Sequence, residues 1–387
     1  MEIYLELSDN ENILIGEVPH TAVKKSTISF VTWKSEFDDF MKLVGRKVVS
    51  PAPVKYEEMC KALNVSGRNA ALTIPKAVLK THLKKCLEDI QDALCDTENA
   101  EYLVTYLTIK RFLQSLTRAS VDLAALKSLI NESKYETVIS NLKTFLPLQD
   151  EKCKKVQYST NNTSTGRLTV LSGPQILTAP AKIRQCLKSR YKNGKIIQID
   201  LISAEPKFAL HVKGEKVPVD VYKFVSENIL NNDVQRHHAK LITLCSLYGQ
   251  SAKNLEKQLP PGVNPRKVIR ETRRYFDYDR LKSRLHTDFI NGNFRNAIGR
   301  PIKVGDNSEH LLISYYLQSS VAEAAILMFS QFYEKFSNHC DPLFIIHDAL
   351  LLDCQESFAD SLLQKKQIKL SLGDWKFDAS IKDLRDS

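Results

Sequence analysis

Lys195-Ile-Ile-Gln-Ile-Asp200-Leu-Ile-Ser-Ala-Glu205 is an apolar run that ends on one carboxylate and meets a second five residues later. A short continuous apolar run reads as a buried strand, here one that delivers Asp200 to its end. Pro206 then suits the first position of a following helix. Two readings of Asp200 are open. It caps that helix, or it belongs to a metal site whose other members lie elsewhere in the chain.

Working outward, the segment after this strand, about 206–290, reads as a helical insert. At its centre stands Arg236-His-His-Ala-Lys240-Leu-Ile-Thr-Leu244-Cys-Ser-Leu-Tyr248-Gly249. Arg236 and Lys240 are four apart and share a helix face, where like charges repel by about 0.2–0.5 kcal/mol. A shared anion such as a triphosphate turns that repulsion into binding. Gly249 ends the helix, since glycine tolerates the left-handed conformation of a helix stop. Further on, Leu311–Phe332 reads as one long helix carrying Gln318, Ser319 and Ser320. Pro342-Leu-Phe-Ile-Ile-His347-Asp348-Ala349-Leu-Leu-Leu-Asp353 reads as a hairpin, two apolar runs meeting at His347-Asp348. Asp348 is thus a second carboxylate on a tight turn after a buried strand.

Upstream, 155–194 is polar and rich in hydroxyls and amides, with Gly166-Arg167 and then Lys182-Ile-Arg184 and Lys188-Ser-Arg190. Such loops grip phosphate and sugar without reading sequence. Residues 76–148 show apolar residues at three- and four-residue steps and read as helices. Lys110, Arg111, Arg118 and Lys127 give them a basic side suited to a phosphate backbone. Residues 1–75 look mixed, with strands at Met1–Leu7, Ile13–Val18 and Thr27–Trp33 and a short helix at Glu36–Val44. Asp9-Asn-Glu11 has the spacing of a two-metal exonuclease, but no partner carboxylates accompany it before the helical region.

The totals set outer bounds. A chain of 387 residues has room for two or three lobes. Its 43% hydrophobic and 26% charged residues are those of a globular protein. Apolar runs fall short of the roughly 20 residues needed to span a bilayer. The first residues carry acids and no basic region, unlike a signal peptide. Eight cysteines have no C-x-x-C spacing, which disfavours zinc and redox motifs and fits reduced thiols in a cytoplasmic setting. The net charge of +10 suits a polyanionic partner.

In this order the parts resemble the polymerase module of family A DNA polymerases, the bacterial polymerase I and phage type. Thr165-Gly-Arg167 resembles that family's T-G-R element. Pro174-Gln-Ile-Leu-Thr-Ala-Pro180 with Ile183-Arg184 resembles its P-N-L-Q-N-I-P…I-R segment. Asp200 to Glu205 is similar to motif A, Arg236…Lys240…Tyr248-Gly249 to motif B, and His347-Asp348-Ala349 to motif C. Gln318-Ser-Ser-Val-Ala resembles the Q-G-T-A-A helix, and Gly373-Asp-Trp375 a terminal signature. The resemblance covers about 76–387.

It implies an α/β (α+β) right-hand polymerase fold, with a small mixed N-terminal region over 1–75 that shows no clear exonuclease. The implied thumb is 76–154, the palm 155–205 and 291–387, and the fingers 206–290. It implies two magnesium ions, replaceable by manganese, about 3.5–4 Å apart on Asp200, Asp348 and the Leu201 carbonyl. Arg236 and Lys240 become the triphosphate clamp, with Lys240 also donating a proton to pyrophosphate. Tyr248 and Leu244 flank the insertion site, and Glu205 takes the sugar-gate position. Arg167, Arg184, Arg300, Gln318 and His347 become contacts to DNA. The expected function is template-directed addition of dNTPs to a primer, without proofreading, by a cytoplasmic monomer (in the host cytoplasm if phage-encoded). Its partners are primer–template DNA, dNTPs and a replisome or processivity partner, with no membrane. The sequence departs from the family at Leu201-Ile-Ser-Ala, Lys207, His237, Leu244 and Ala349, the last standing where motif C has Glu. Two alternatives remain: a phage-type single-subunit RNA polymerase, and an inactive polymerase-derived nucleic-acid-binding protein.

Overall fold

The computed structural model describes residues 2–8, 11–17, 27–31, 34–35, 38–46, 74–147, 150–305 and 308–386, with isolated positions between 56 and 62. Asp9 of the D-x-E motif lies outside the described residues. The chain divides into two compact units, Met1–Thr108 with Ile298–Pro301, and Ile109–Ala297 with Ile302–Ser387. The division falls within the helix Thr97–Ser115.

The first unit holds a sheet ordered β2-β1-β3-β4, from β1 (Glu2–Ser8), β2 (Glu11–Glu17), β3 (Thr27–Val31) and β4 (Lys34–Ser35). Its strands and the short helix Asp38–Leu43 lie close to where the sequence puts them. Phe40, Tyr102 and Tyr106 form an aromatic core, with Phe40 and Tyr106 centroids 5.4 Å apart. The returning segment inserts Arg300 into this unit, where its Nη1 donates to the Tyr102 hydroxyl at 3.2 Å. Arg300 is 1% exposed. The sequence reading put Arg300 at DNA; here its guanidinium lies inside the core of this unit, and reaching a ligand would uncover a buried charge.

The second unit begins with two small pairings. In one, β5 (Ser120–Val121) meets β8 (Leu187–Lys188), and in the other β6 (Gln157–Ser159) meets β7 (Thr169–Ser172). Its main sheet is antiparallel and ordered β10-β11-β9-β13-β12. The strands are β9 (Lys195–Leu201), β10 (Cys340–Ile346), β11 (Ala349–Cys354), β12 (Gln367–Leu372) and β13 (Trp375–Asp383). Strand β9 is central. Ile196, Ile197 and Ile199 are buried, as an apolar run inside a covered sheet requires. The predicted hairpin is β10–β11, closed at His347-Asp348. His347 has φ +54°, a left-handed conformation that costs a non-glycine residue about 1–2 kcal/mol.

The long helix Leu312–Phe336 packs against β10, β12 and the helix Ala204–Lys213. It is apolar all round, as befits a helix enclosed by protein. The helix is long and apolar enough to pass a length-and-composition test for a membrane span, yet 78% of its apolar window is buried in the protein. Even its Glu323 is fully buried, accepting from Asn296 Nδ2 at 2.9 Å.

The turn after β9 is pinned from β13. Ile202 N donates to Asp378 O at 2.8 Å, and Lys207 Nζ donates to Asp378 Oδ2 at 2.5 Å. Beside Lys207, fully buried Phe208 meets Trp375 edge-on at 4.9 Å. Removing that ring leaves a cavity under the helix that carries Glu205. Phe208→Ala should destabilise the protein by about 3–5 kcal/mol in denaturant titrations. A loss below about 1 kcal/mol would show that the Phe208–Trp375 packing does not support this helix.

Candidate active site

Pairing of β9 with both its neighbours fixes the two aspartates. Asp200 is in register with Ala349 of β11 and Ser380 of β13. Asp348, one residue before Ala349, therefore sits beside the end of β9, and its carbonyl accepts from Leu201 N at 3.1 Å. Asp200, Leu201 and Asp348 line a cleft of about 470 Å³ with Arg167, Glu205, Lys240, Leu244, Gln318 and His347. Nine of the residues singled out from the sequence thus meet in one place.

Four others do not line it. Arg300 is in the core of the first unit. Arg184 donates to the Gln198 side chain at 3.3 Å, two residues before Asp200 on the strand, and its charge is felt at Asp200. Tyr248 closes the helix Arg236–Leu247 and donates its hydroxyl to Glu205 Oε2. Arg236 points its Nε at Asp220 Oδ2, 2.6 Å away.

The sequence reading missed several groups. Tyr222 lines the cleft and is 6% exposed. Its ring lies 5.6 Å from the Arg236 guanidinium and 6.0 Å from Lys240 Nζ. Asp220 caps the short helix Val221–Phe224 and accepts from Lys223 N at 3.0 Å. The Asp-Val-Tyr order is an ordinary helix start, so only the fold reveals that it faces the cationic helix. Lys382 on β13 is a further cation near Asp200.

Glu205 is held on both oxygens. Arg167 Nη2 donates to Oε1 at 2.6 Å, and Tyr248 donates to the other. The Glu205 side chain is 13% exposed. Expected at DNA, Arg167 is here the partner of the proposed sugar gate. Burial, reinforced by Glu205, pushes the Tyr248 phenol far above its usual range. Burial likewise pushes Tyr222 up to about 12.

Burial raises the pKa of both aspartates. Asp200 is pushed up to about 6, first by desolvation and then by the nearby Asp348 charge. Lys382, Arg184 and Lys240 only partly offset this. Two half-buried, mutually repelling carboxylates are hard oxygen donors that a divalent cation would relieve, so the pair fits magnesium. No group of three or more His, Cys, Asp or Glu side chains is placed for a metal among the described residues. Further ligands would be backbone, water or substrate oxygens, as magnesium commonly takes.

The raised pKa has a stability consequence. The folded form holds the Asp200 proton more tightly than the unfolded chain, so stability is lost as pH rises from 3.8 through about 6. Asp200→Asn, in chelator at pH 8, should therefore raise stability by about 1 kcal/mol after allowance for solvent screening. Thermal melts at pH 8 and pH 4.5 test this. The gain should shrink at the lower pH, and an equal gain at both would exclude the cost of the buried charge as its source.

No protein-family model matches the chain, and no curated protein is a recognisable relative by sequence. Among solved structures, the chain is similar to the POL domain of Pol1 from M. smegmatis, in complex with DNA primer-template and dNTP. The TM-score is 0.63 at 14% identity, over 90% of this chain and 82% of that one. Identity this low speaks to the fold alone, and the fold of the chain is a mixed α/β, polymerase-like one.

Proposed function

We propose that the chain is a template-directed DNA polymerase of the family A type, adding dNTPs to a primer 3′-hydroxyl. The observation that carries this reading is the meeting of Asp200 and Asp348 in one cleft with Lys240. They do so within a fold shared with a polymerase domain whose solved complex holds primer-template and dNTP. In this reading 76–154 is the thumb, 206–290 the fingers, and 155–205 with 291–387 the palm.

Asp200, Asp348 and the Leu201 carbonyl would hold two magnesium ions, which supply charge neutralisation at the reacting phosphate and lower the pKa of the primer hydroxyl. The protein's own residues do the rest. Lys240 and Arg236 bind the triphosphate, and Tyr222 backs both cations with its ring face. Arg236 must exchange its bond to Asp220 for phosphate oxygens, a trade between two anions of similar geometry. Lys240 carries a proton at Nζ that can pass to the departing pyrophosphate. Glu205, clamped by Arg167 and Tyr248, has little freedom to move aside for a ribose 2′-hydroxyl. Leu244 offers an aliphatic surface to the incoming base, and Gln318 and His347 meet the primer–template near its 3′ end. Such contacts go to backbone and minor groove and are nearly independent of sequence. Ala349 stands in β11 in register with Asp200, so motif C contributes one carboxylate rather than two. Extension is proposed to proceed without trimming of mismatched primers.

Asp200→Asn and Asp348→Asn should each lower primer extension by roughly three orders of magnitude, the several kcal/mol of charge stabilisation lost at the reacting phosphate. The assay is extension of a primed DNA template with magnesium, run with dNTPs and separately with NTPs. Preferential use of NTPs would favour the RNA polymerase reading. Duplex binding without extension by the unaltered protein would favour an inactive binding protein.

A further inference from the structure

Strand β10 lies at an edge of the main sheet, yet every one of its residues is buried. An edge strand presents a row of N–H and C=O groups on its outer side. Buried groups of this kind need partners, because an unpaired one costs about as much as a lost hydrogen bond. Two residues from outside this sheet supply them. Thr117 N donates to Pro342 O at 2.7 Å, and Thr117 Oγ1 donates to the same oxygen at 3.2 Å. Nearer the Asp348 turn, the Tyr158 hydroxyl donates to Ile345 O at 2.8 Å and accepts from Ile345 N at 3.3 Å. One phenol thus takes both backbone groups of Ile345, as a neighbouring strand would.

Tyr158 is itself buried, and burial pushes its phenol far above the usual range, so the donor proton stays in place. Ile345 stands two residues before His347 and three before Asp348. The left-handed backbone of His347 persists only where its surroundings over-determine it. Beyond the turn, the Asp348 carbonyl is tied to Leu201 N. Before the turn, Tyr158 adds a hold on β10 to that of its partner strand β11. Tyr158 belongs to β6, in register with Val170 of β7. The loop between those two strands carries Arg167, which donates to Glu205. A single side chain therefore ties the segment that delivers Asp348 to the segment that delivers Arg167.

We propose that Tyr158 is a positioning residue for the site: by gripping β10 at Ile345, its hydroxyl fixes where the Asp348 carboxylate stands relative to Asp200. The kinetic consequences rest on the polymerase reading above, whereas the consequence for divalent-cation binding rests on the aspartate pair alone. Phenylalanine at this position keeps the ring and leaves Ile345 with two buried, unpaired groups. The strand end is then free to shift, and the carboxylate shifts with it.

Tyr158→Phe should lower kcat for primer extension roughly 10- to 100-fold, the penalty of a small misplacement at a reacting centre, with KM for dNTP held within about 3-fold. KM is spared because Lys240 and Arg236 stand on another helix. The same variant should bind manganese about 10-fold more weakly, read by electron paramagnetic resonance without DNA or nucleotide. Thr117→Ala loosens the same strand at Pro342, farther from Asp348, and should lower the melting temperature while leaving kcat and manganese affinity as they are. In the unaltered protein the Ile345 amide should exchange with solvent as slowly as the amides of β11, a measurement that needs no variant to fold. Fast exchange at Ile345 would overturn the proposal. So would a folded Tyr158→Phe protein with unchanged kcat and manganese affinity, or equal losses in Thr117→Ala. An unaltered protein that extends no primer removes the polymerase reading, and the manganese titration then decides the role of Tyr158 by itself.

Discussion

Two carboxylates stand side by side and half out of water, where burial above all disfavours their charged forms and the Asp348 charge adds to the cost at Asp200. The sheet must hold Asp200 and Asp348 together against it. It does so with backbone: Asp200 is paired on both sides, and the Asp348 carbonyl is tied to Leu201 N. Strain at His347 belongs to the same arrangement, since the tight turn at φ +54° is what sets Asp348 against the end of β9. Carboxylates whose charged forms are disfavoured in this way are more often found at functional sites than elsewhere.

Around this pair, cations and anions alternate in layers. Lys240, Arg184 and Lys382 temper the aspartates without neutralising them. Arg167 is hydrogen-bonded to Glu205 and Arg236 to Asp220, while the Arg167 charge is also felt at Asp348. Lys207, beneath the site, is paired with Asp378 and 1% exposed, which anchors the turn rather than touching chemistry.

The legible part of the fold was the part written locally. The apolar run to Asp200, the hairpin at His347-Asp348, the long helix and the Arg236–Tyr248 helix all announce themselves by period and punctuation. Eight of the nine cleft residues lie on these elements, and Arg167 lies in the polar loop before them. What escaped was what depends on distant pairing. Nothing in Trp375–Asp383 says that it will lie beside β9, so Asp378 and Lys382 went unseen. Arg300 was placed at DNA by the resemblance alone, and its partner in the core, the Tyr102 hydroxyl, is far away in the sequence. Tyr222 went unremarked, because its two cations lie on another helix.

The order of the central sheet also bears on how the molecule is assembled. Strand β9 finds its neighbours only after the whole helical insert and the long helix, in β11 and β13. Until then it is a strand with two bare edges and an isoleucine-rich face, the kind of segment that pairs with the wrong partner. Contacts so distant in sequence make for slow folding, since long loops must close before any pairing is gained. The strand that carries the first aspartate is thus the first of its sheet to be synthesised and among the last to be secured.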